Sequence, residues 1–369
     1  MRIVFAGGGT GGHLYPGLAI ARALVRLDPR VRPQFIGAER GIERDVLPGT
    51  AFEHLLLPVH PLYRARPWEN WRTAAGLARS WGAIGRAWGS ERPALVVGTG
   101  GYASLAPLAY AVTKGIPIAL QEQNSAPGMT TRLFARFARA VFVGSPEAVV
   151  RLDVRDEAVI VHSGNPIEPP PSPRPDKGAA RRAWGFPERG GAVLLVFGGS
   201  QGARALNDAL DAWIARGLPP GLQVIWGTGR DAYDRYASRA SAQVAVRPYL
   251  APIADAYAAS DLAVTRAGAL TLAELCAWGL PSVLVPLPTA AADHQAANAR
   301  ALEACGAGVV LPQVELTADS LADAVTALVG NATRLTGLAA AARRRGRPRA
   351  AEDIARRILT LVDLNHVDT

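Results

Sequence analysis

Cysteines are few and long apolar runs are absent, and each absence excludes a class of protein. Cys276 and Cys305 are the only cysteines among 369 residues, and neither belongs to a CxxC pair or to a His/Cys cluster at zinc spacing. We therefore expect neither a disulfide framework nor a structural metal. No apolar run approaches the roughly 18 to 20 residues of a membrane-spanning helix, so a transmembrane protein is not expected.

The N-terminal segment also lacks the form of a secretory leader. Its short apolar run after Arg2 gives way to glycines at Gly7, before a leader's apolar region would be complete. We therefore expect this segment to belong to the fold, and we expect the protein on the cytoplasmic side of the membrane.

Common signatures of nucleotide and metal binding are missing or take an unusual form. The segment GGGTGGH, from Gly7 to His13, lacks the Lys-Ser/Thr pair of a P-loop, and with five glycines between Gly7 and Gly12 it is not the GxGxxG dinucleotide site in its usual form. No DxD motif occurs in the chain. Backbone N–H groups and helix dipoles would therefore have to neutralise a nucleotide diphosphate, so we predict no metal and no cofactor.

The charge balance predicts an anionic partner. The formal net charge is +9, in a chain that is 49% hydrophobic and 19% charged, as globular proteins are. The sign of the charge does not distinguish nucleic acid, a membrane surface and an anionic metabolite. The basic run from Arg343 to Arg349 is typical of a solvated linker, with attraction to an anionic surface as the alternative.

Short apolar runs alternate with helix-length segments along the chain, a pattern typical of parallel sheets covered by helices. The proline-rich segment after Asn165 predicts a linker, with a domain boundary near Ser163. The alternation then restarts, so we predict two doubly wound α/β domains. The predicted strands are Arg2–Ala6, Gln34–Gly37, Leu55–Pro58, Ala94–Gly98, Pro117–Gln121, Ala140–Gly144 and Val159–His162, followed by Ala192–Phe197, Leu222–Trp226, Gln243–Arg247, Leu262–Thr265 and Ser282–Pro286.

Three segments place glycines between a predicted strand and a predicted helix. They are GGGTGGHLYPG from Gly7, GGSQGARALN from Gly198 and AGALTLAE from Ala267. Glycines let backbone N–H groups approach an oxygen-rich ligand closely, and the helix N-terminus adds its positive dipole end. We therefore predict that these turns bind phosphate groups in the cleft between the domains.

Two residues near these turns are candidates for chemistry. His13 lies at a helix start, where the dipole disfavours the imidazolium, so a neutral ring could serve as a general base; a structural role is the alternative. Glu274, in the second turn of its helix, could accept hydrogen bonds from a ribose diol or simply face solvent. For Asp293, a simple N-cap of the helix that follows is a sufficient explanation.

Half of the eight tryptophans lie between Pro58 and Pro93, among six arginines. Trp81 and Trp88 share one helical face, which we predict to lie in the core of a crossover helix. Trp68 and Trp71 lie nearer the loop, and tryptophan with arginine suits the headgroup zone of a membrane. We therefore predict that Trp68 and Trp71 associate with a membrane.

Seven motifs in order, GGGTGGHLYPGLA, GGYAS, EQN, GNP, GGSQGA, AGALTLAE and HQxxNA, span nearly the whole chain. Together they resemble the bacterial peptidoglycan N-acetylglucosaminyltransferases of glycosyltransferase family 28. The resemblance implies a GT-B fold, in which two Rossmann-like domains face each other across a cleft. It implies an acceptor domain at 1–163, a donor domain at 164–349 and a C-terminal helix at 350–369 that packs back on the acceptor domain.

The resemblance also implies an activity. GlcNAc would pass from UDP-GlcNAc to the 4-hydroxyl of the MurNAc-pentapeptide of lipid I, forming lipid II, with inversion and without a metal. The protein would act in cell-wall biogenesis, cell shape and cell division as a peripheral protein of the cytoplasmic face of the plasma membrane. Its partners would be UDP-GlcNAc, lipid I, the anionic membrane surface and cell-wall synthesis proteins, with no nucleic acid.

Site residues follow from the matched motifs. The resemblance implies a catalytic group of His13, Glu122 and Asn124, and an acceptor-binding set of Gly8, Gly9, Gly11, Gly12 and Tyr102. It implies a donor-binding set of Thr10, Gly11, Gly12, Asn124, Ser200, Gln201, Gly202, Leu250, Gly268, Ala269, Leu270, Thr271, Glu274, His294, Gln295 and Asn298. Within that set the Leu250 backbone would face uracil, Glu274 the ribose, and Ser200 the phosphates.

One departure from the family and three alternatives stay open. Glu168 stands where the family commonly has an arginine, so another cation would have to contact the phosphate. A glycosyltransferase acting on diacylglycerol would share the donor motifs. A nucleotide-sugar epimerase would need no acceptor. A NAD-dependent oxidoreductase is suggested by the first glycine turn with Glu39 at the end of the second strand, although this turn is not a GxGxxG site in its usual form and similar glycine turns recur in the second half of the chain.

Overall fold

The computed structural model describes residues 1–60, 68, 70–199 and 201–367. The chain divides into two compact units. The first unit consists of Met1–Glu168 and Arg349–Thr369, and the second of Pro169–Pro348. The sequence boundary between Glu168 and Pro169 lies inside the proline-rich segment, a few residues after the boundary predicted near Ser163.

The first unit contains a parallel sheet with strand order β3-β2-β1-β4-β5-β6-β7 among the described residues. Its strands are β1 (Arg2–Gly7), β2 (Arg32–Ala38), β3 (Glu53–Leu57), β4 (Leu95–Gly100), β5 (Ile118–Glu122), β6 (Ala140–Val143) and β7 (Ile160–Val161). The order reverses between β1 and β4, which is the switch point at which doubly wound sheets bind ligands. The first glycine turn and the residues after β4 therefore lie beside this point.

Helices cover both faces of this sheet. They are α1 (Gly11–Leu27), α2 (Glu43–Val46), α3 (Asn70–Gly89), α4 (Leu105–Thr113) and α5 (Met129–Phe134). Alternate residues of a strand point to opposite faces, so Ile3 and Phe5 pack with α1 whereas Val4 and Ala6 pack with α3 and α4. The sheet is therefore buried on both sides.

The last helix of the chain belongs to the first unit. This helix, α14 (Ala350–Val367), packs against α1 and buries Ile354, Ile358 and Val362. Burying each such side chain contributes about 1.5 to 3 kcal/mol. Leu361, the residue before Val362, is only half-buried.

The second unit contains a parallel sheet of order β10-β9-β8-β11-β12-β13 among the described residues. Its strands are β8 (Ala192–Phe197), β9 (Leu222–Gly227), β10 (Val244–Arg247), β11 (Leu262–Thr265), β12 (Ser282–Leu284) and β13 (Gly308–Val310). Its helices are α6 (Lys177–Ala183), α7 (Arg204–Arg216), α8 (Tyr233–Tyr236), α9 (Ile253–Ala259), α10 (Ala269–Trp278), α11 (His294–Ala304), α12 (Ala318–Val329) and α13 (Ala332–Arg345). The order again reverses, between β8 and β11, beside the second and third glycine turns.

The prediction of two doubly wound α/β folds is confirmed. Each of the twelve predicted strands overlaps a strand of the structure, whereas β13 was not predicted. Among the described residues, no helix has the length and apolarity needed to cross a bilayer.

Candidate active site

The first glycine turn links the end of β1 to the start of α1. Gly9 has a φ of +89°, and a Cβ atom there would lie 2.7 Å from a ring carbon of Tyr102. Both the backbone conformation and the close approach require glycine. Tyr102, which follows β4, therefore packs against the turn. It was predicted to bind the acceptor together with the glycines of this turn.

A buried carboxylate holds this turn from below. Glu43 is fully buried, and its Oε1 accepts hydrogen bonds from the backbone N–H groups of Gly9 at 2.7 Å and Ala38 at 3.2 Å. Its Oε2 is buried without a hydrogen-bond partner in the described part of the chain. The sequence pattern did not indicate Glu43, because an acid in a short helix is ordinarily a solvated residue.

These bonds limit which N–H groups of the turn can meet a ligand. The N–H of Gly8 donates to the carbonyl of Gly100 at 3.3 Å, and that of Gly9 donates to Glu43. The N–H groups of Gly11 and Gly12, at the start of α1, have no acceptor within the described part of the chain. The N-terminus of α1 is thus where this turn can bind an anion.

His13 lies in the first turn of α1, half-buried, with its Nδ1 3.1 Å from Oε1 of Gln123. Its ring packs on the glycine pair after β4, since a Cβ atom on Gly100 would lie 2.9 Å from Nδ1. Gln123 follows β5 directly. The carboxyl ends of β1, β4 and β5 therefore meet around the imidazole, at the switch point of the sheet.

Glu122 and Asn124 lie beside Gln123 in the same unit. Glu122 is buried, and its carboxylate accepts hydrogen bonds from the backbone N–H of Asn124 at 3.0 Å and that of Gly128 at 2.9 Å. The Asn124 amide also donates to it, at 3.3 Å. Because it accepts these three N–H hydrogen bonds, Glu122 holds the loop that follows β5, and Asn124 lies in this loop.

The second glycine turn interlocks with a loop that the sequence pattern did not indicate. Gly202 has a φ of +75°, and a Cβ atom there would lie 2.1 Å from the carbonyl oxygen of Thr228. A Cβ atom on Gly229 would lie 2.6 Å from the carbonyl oxygen of Gln201. The two loops therefore touch backbone to backbone. Ser200, predicted to contact phosphate, lies outside the described residues.

A buried amide ties these two loops together. Asn207, on α7, donates through Nδ2 to the carbonyl of Thr228 at 2.8 Å. Its Oδ1 accepts from the indole N–H of Trp226 at 3.0 Å. All three residues are fully buried, so both hydrogen bonds of the Asn207 side-chain amide form away from water.

A cavity of about 200 Å³ lies beside the second turn. Its lining residues are Phe197, Gly199, Gly227, Gly229, Pro248, Tyr249, Leu250, Ile253, Thr271 and Glu274. Leu250, Thr271 and Glu274 belong to the predicted donor set, and the structure brings them together here. Tyr249 was not predicted; it lies at the cavity with the guanidinium of Arg230 5.0 Å from its ring centroid.

Glu274 is held by one neighbour and keeps one oxygen available. The hydroxyl of Tyr257 donates to Oε2 of Glu274 at 2.7 Å, whereas Oε1 has no hydrogen bond within the described residues. Burial raises the pKa of Glu274, and the Tyr257 hydrogen bond acts against that rise. Burial beside this carboxylate also raises the pKa of Tyr257 well above its usual range.

The third glycine turn, Ala267–Gly268, leads into α10. Gly268, Ala269, Leu270 and Thr271 form the start of this helix and are half-buried. Asn298 of α11 is buried and donates to the carbonyl of Ala267 at 3.2 Å. Asn298 thus binds the turn itself.

His294 and Gln295 begin α11. The Nδ1 of His294 lies 2.7 Å from the carbonyl oxygen of Ala291, and Gln295 accepts a hydrogen bond from the N–H of Leu287 at 3.0 Å. Asp293 takes the N-cap position without a side-chain cap hydrogen bond. The Gln295 bond ties α11 to the loop that follows β12.

Arg266 supports the same loop from the end of β11. Its buried guanidinium donates to the carbonyls of Val285 at 3.1 Å and Pro286 at 3.3 Å, and to Oε1 of Gln313 at 2.6 Å. Burial lowers the pKa of Arg266. The sequence pattern did not single it out, because these acceptors lie far along the chain.

The tryptophans of the first unit divide between core and surface. Trp88 is buried, as predicted, but the prediction is wrong for Trp81, which is 39% exposed and packs edge-on against Tyr110. Trp68 and Trp71 are 73% and 66% exposed. Three arginines of α3 are also exposed; they are Arg72, Arg79 and Arg86.

No group of three or more His, Cys, Asp or Glu side chains among the described residues is arranged to hold a metal ion. The candidate residues of the first unit are the first glycine turn, Glu43 and His13. Those of the second unit are the other two glycine turns, the buried side chains beside them and the cavity at Glu274.

Two family models match the chain in order. The glycosyltransferase family 28 N-terminal domain matches residues 3–143, and the family 28 C-terminal domain matches residues 193–355. A crystal structure of Acinetobacter baumannii MurG superposes with a TM-score of 0.76 at 26% identity, over 97% of this chain and 99% of that one. Fold and matches together define a GT-B glycosyltransferase.

Relatives in other bacteria define the family. A protein of Moorella thermoacetica is 40% identical over 98% of this chain and 100% of its own length, and one of Salinibacter ruber is 41% identical over 98% and 97%. Both are named UDP-N-acetylglucosamine--N-acetylmuramyl-(pentapeptide) pyrophosphoryl-undecaprenol N-acetylglucosamine transferase. The chain belongs to this family of transferases, within glycosyltransferase family 28. A UDP complex of Staphylococcus aureus MnaA, at 13% identity and a TM-score of 0.70, shares the fold alone.

Proposed function

We propose that this enzyme transfers GlcNAc from UDP-GlcNAc to the 4-hydroxyl of the MurNAc-pentapeptide of lipid I, forming lipid II for peptidoglycan synthesis. The observation that carries the proposal is about 40% identity, over nearly the whole chain, to transferases named for this reaction. The same identity favours transfer over the epimerase and oxidoreductase alternatives.

The second unit is proposed to bind the donor. Uracil would meet the Leu250 backbone at the cavity, and Oε1 of Glu274 would accept from the ribose diol. The diphosphate would meet the second turn, including Ser200, Gln201 and Gly202, and the start of α10 at Gly268, Ala269, Leu270 and Thr271. His294, Gln295 and Asn298 would face the sugar or its diphosphate. Helix N-termini and backbone N–H groups suit this charge.

The first unit is proposed to bind the lipid-linked acceptor. The N–H groups of Gly11 and Gly12 would receive its diphosphate, with Gly8 and Gly9 shaping the turn. Tyr102 and Asn124 would position the attacking sugar, and Glu122 would hold the loop that carries Asn124. Thr10 and Asn124, with Gly11 and Gly12, would also contribute to donor binding.

The proposed chemistry is one in-line displacement. His13 would take the proton of the acceptor hydroxyl as the oxygen attacks the anomeric carbon, and UDP would leave from the opposite face with inversion from α to β. General-base catalysis contributes about 10²- to 10⁴-fold, and stabilisation of the leaving diphosphate by N–H groups is of comparable or larger size. Replacing His13 by alanine should therefore lower kcat far more than UDP-GlcNAc binding.

The enzyme is further proposed to act as a peripheral protein at the cytoplasmic face of the plasma membrane. Trp68 and Trp71 expose large amphipathic rings, and exposed arginines on α3 would meet anionic headgroups. This location brings the first unit to the lipid-linked acceptor.

The test is incubation of the enzyme with UDP-GlcNAc and a lipid-linked muramyl peptide, with and without chelator. Diacylglycerol and acceptor-free reactions run in parallel. Product only from the muramyl lipid, unaffected by chelator, is the expected result. Product from diacylglycerol would replace the acceptor, turnover without acceptor would indicate an epimerase, and inhibition by chelator would refute the metal-independent mechanism.

A further inference from the structure

The amide of Gln123 has an orientation that its surroundings determine. Gln123 is buried at the end of β5, and its Nε2 lies 2.8 Å from the carbonyl oxygen of Thr99 and 3.2 Å from that of Gln121. Backbone carbonyls only accept hydrogen bonds, so the NH₂ group must face them. The reversed amide would place two oxygens against each other in the core, at a cost of about 1 to 3 kcal/mol for each unsatisfied group.

This orientation leaves the amide oxygen facing His13. Oε1 of Gln123 lies 3.1 Å from Nδ1 of the imidazole. An amide oxygen can only accept, so Nδ1 must carry a hydrogen. A neutral imidazole carries one hydrogen, and its proton-accepting lone pair then lies on Nε2.

The ring is also held against rotation. A Cβ atom on Gly100 would lie 2.9 Å from Nδ1, and one on Gly101 would lie 3.0 Å from Cδ2 of the ring. The imidazole therefore packs closely on the backbone at the end of β4. A ring flip would place a C–H group against Oε1 of Gln123 and break the hydrogen bond.

We propose that Gln123 is a positioning residue that holds His13 in the Nδ1–H tautomer, so that Nε2 is the nitrogen that takes the acceptor's proton. This inference rests on the proposed role of His13 as the base. Because Oε1 is neutral, it selects the tautomer without adding the charge that a carboxylate partner would add. The proton passes from the acceptor hydroxyl to Nε2 while the oxygen forms its bond to the anomeric carbon and UDP leaves with the bonding electrons.

The test begins with the tautomer itself. In the full-length protein labelled with ¹⁵N-histidine, two-bond ¹H–¹⁵N spectra distinguish a protonated from an unprotonated ring nitrogen, and the His13→Asn variant assigns the signals. At a pH where the ring is neutral, we expect Nδ1 to be protonated and Nε2 unprotonated. A spectrum with Nε2 protonated would overturn the inference.

The near-isosteric variant Gln123→Met then removes the acceptor. We expect His13 to lose its single tautomer and kcat to fall about 10- to 100-fold, less than the full 10²- to 10⁴-fold that a general base contributes because the imidazole is still present, with the KM for UDP-GlcNAc changed less than about 2-fold. Gln121→Met is the matched control, because the Gln121 side chain bonds Asn165 and Nε2 of Gln123 rather than His13. The backbone carbonyls of Thr99 and Gln121, which orient the Gln123 amide, remain in this variant. It should lower stability and leave the tautomer unchanged. A single unchanged tautomer in Gln123→Met would overturn the inference.

Kinetics of His13→Ala separate this inference from the proposed function. If His13→Ala retains turnover while the wild-type ring is Nδ1–H, the base assignment fails and the tautomer assignment stands. If His13→Ala abolishes turnover while the wild-type ring is Nε2–H, the base assignment stands and the role of Gln123 fails.

Discussion

Replacing Asn207 by alanine should lower the stability of the second unit and weaken the donor binding that we propose for it. The substitution leaves the indole N–H of Trp226 and the carbonyl of Thr228 without their buried partner. Each unsatisfied buried group costs about 1 to 3 kcal/mol, so we expect the free energy of unfolding to fall by about 3 kcal/mol. Urea unfolding followed by tryptophan fluorescence measures this change.

The same substitution should loosen the loop at Thr228–Gly229, which contributes to the cavity wall. UDP would then have to order one or two loop residues on binding, at about 1 to 2 kcal/mol of backbone entropy each. A cost of 1.4 kcal/mol corresponds to about tenfold in affinity, so ordering even one residue at about 1 kcal/mol should raise the Kd for UDP at least about fivefold. Isothermal titration calorimetry with UDP provides the measurement.

Trp226→Phe is the matched control for Asn207→Ala. It removes only the indole bond and leaves Asn207 Nδ2 bound to the Thr228 carbonyl. We expect a loss of about 2 kcal/mol of stability from the unpaired Oδ1 and the smaller ring, with the UDP Kd nearly unchanged. Equal losses of UDP affinity in both variants would refute the argument that the Asn207–Thr228 bond orders the loop.

Three further predictions concern other parts of the site. Glu43→Ala removes the carboxylate that bonds the N–H of Gly9 and holds the first turn. Because the turn is then less ordered, the KM for the lipid acceptor should rise several-fold in steady-state assays while the UDP Kd stays constant. Because burial raises the pKa of Glu274, UDP affinity should decline on acidification at a higher pH than for an ordinary glutamate, and Tyr257→Phe should move that midpoint upward in calorimetric titrations. The double substitution Trp68→Ser and Trp71→Ser should reduce co-sedimentation with anionic vesicles without altering UDP binding; unchanged co-sedimentation would contradict membrane association.

The strands were predictable because each is a buried apolar run bounded by glycine, proline or polar residues. β8, with the sequence AVLLVF, is one such run, and both of its faces are covered by helices. β13 was not predicted because GVV is only three residues long and two of them are half-buried. A strand that short owes its existence to pairing with β12 rather than to its own composition.

The positions of the glycine turns were also predictable, because glycine marks backbone conformations and approaches that other residues resist. The side chains that bind the turns were harder to foresee. Glu43 bonds a residue 34 positions away and Gln123 approaches one 110 positions away. Local sequence patterns carry no information on such pairs, since only the completed fold brings them together.

The first and third glycine turns are bonded by buried polar side chains from other elements, and the loop that interlocks with the second turn is bonded in the same way. Glu43 binds Gly9 in the first turn, Asn207 holds the loop that interlocks with the second, and Asn298 binds Ala267 in the third. Glycine loses more conformational freedom on folding than any other residue, so a glycine-rich turn left to itself would have to be ordered by its ligand. A buried hydrogen bond transfers that ordering to the folding step. Under the proposed function, the N–H groups would then already be in place when a diphosphate arrives, which is the condition under which such groups stabilise a leaving group without reorganising.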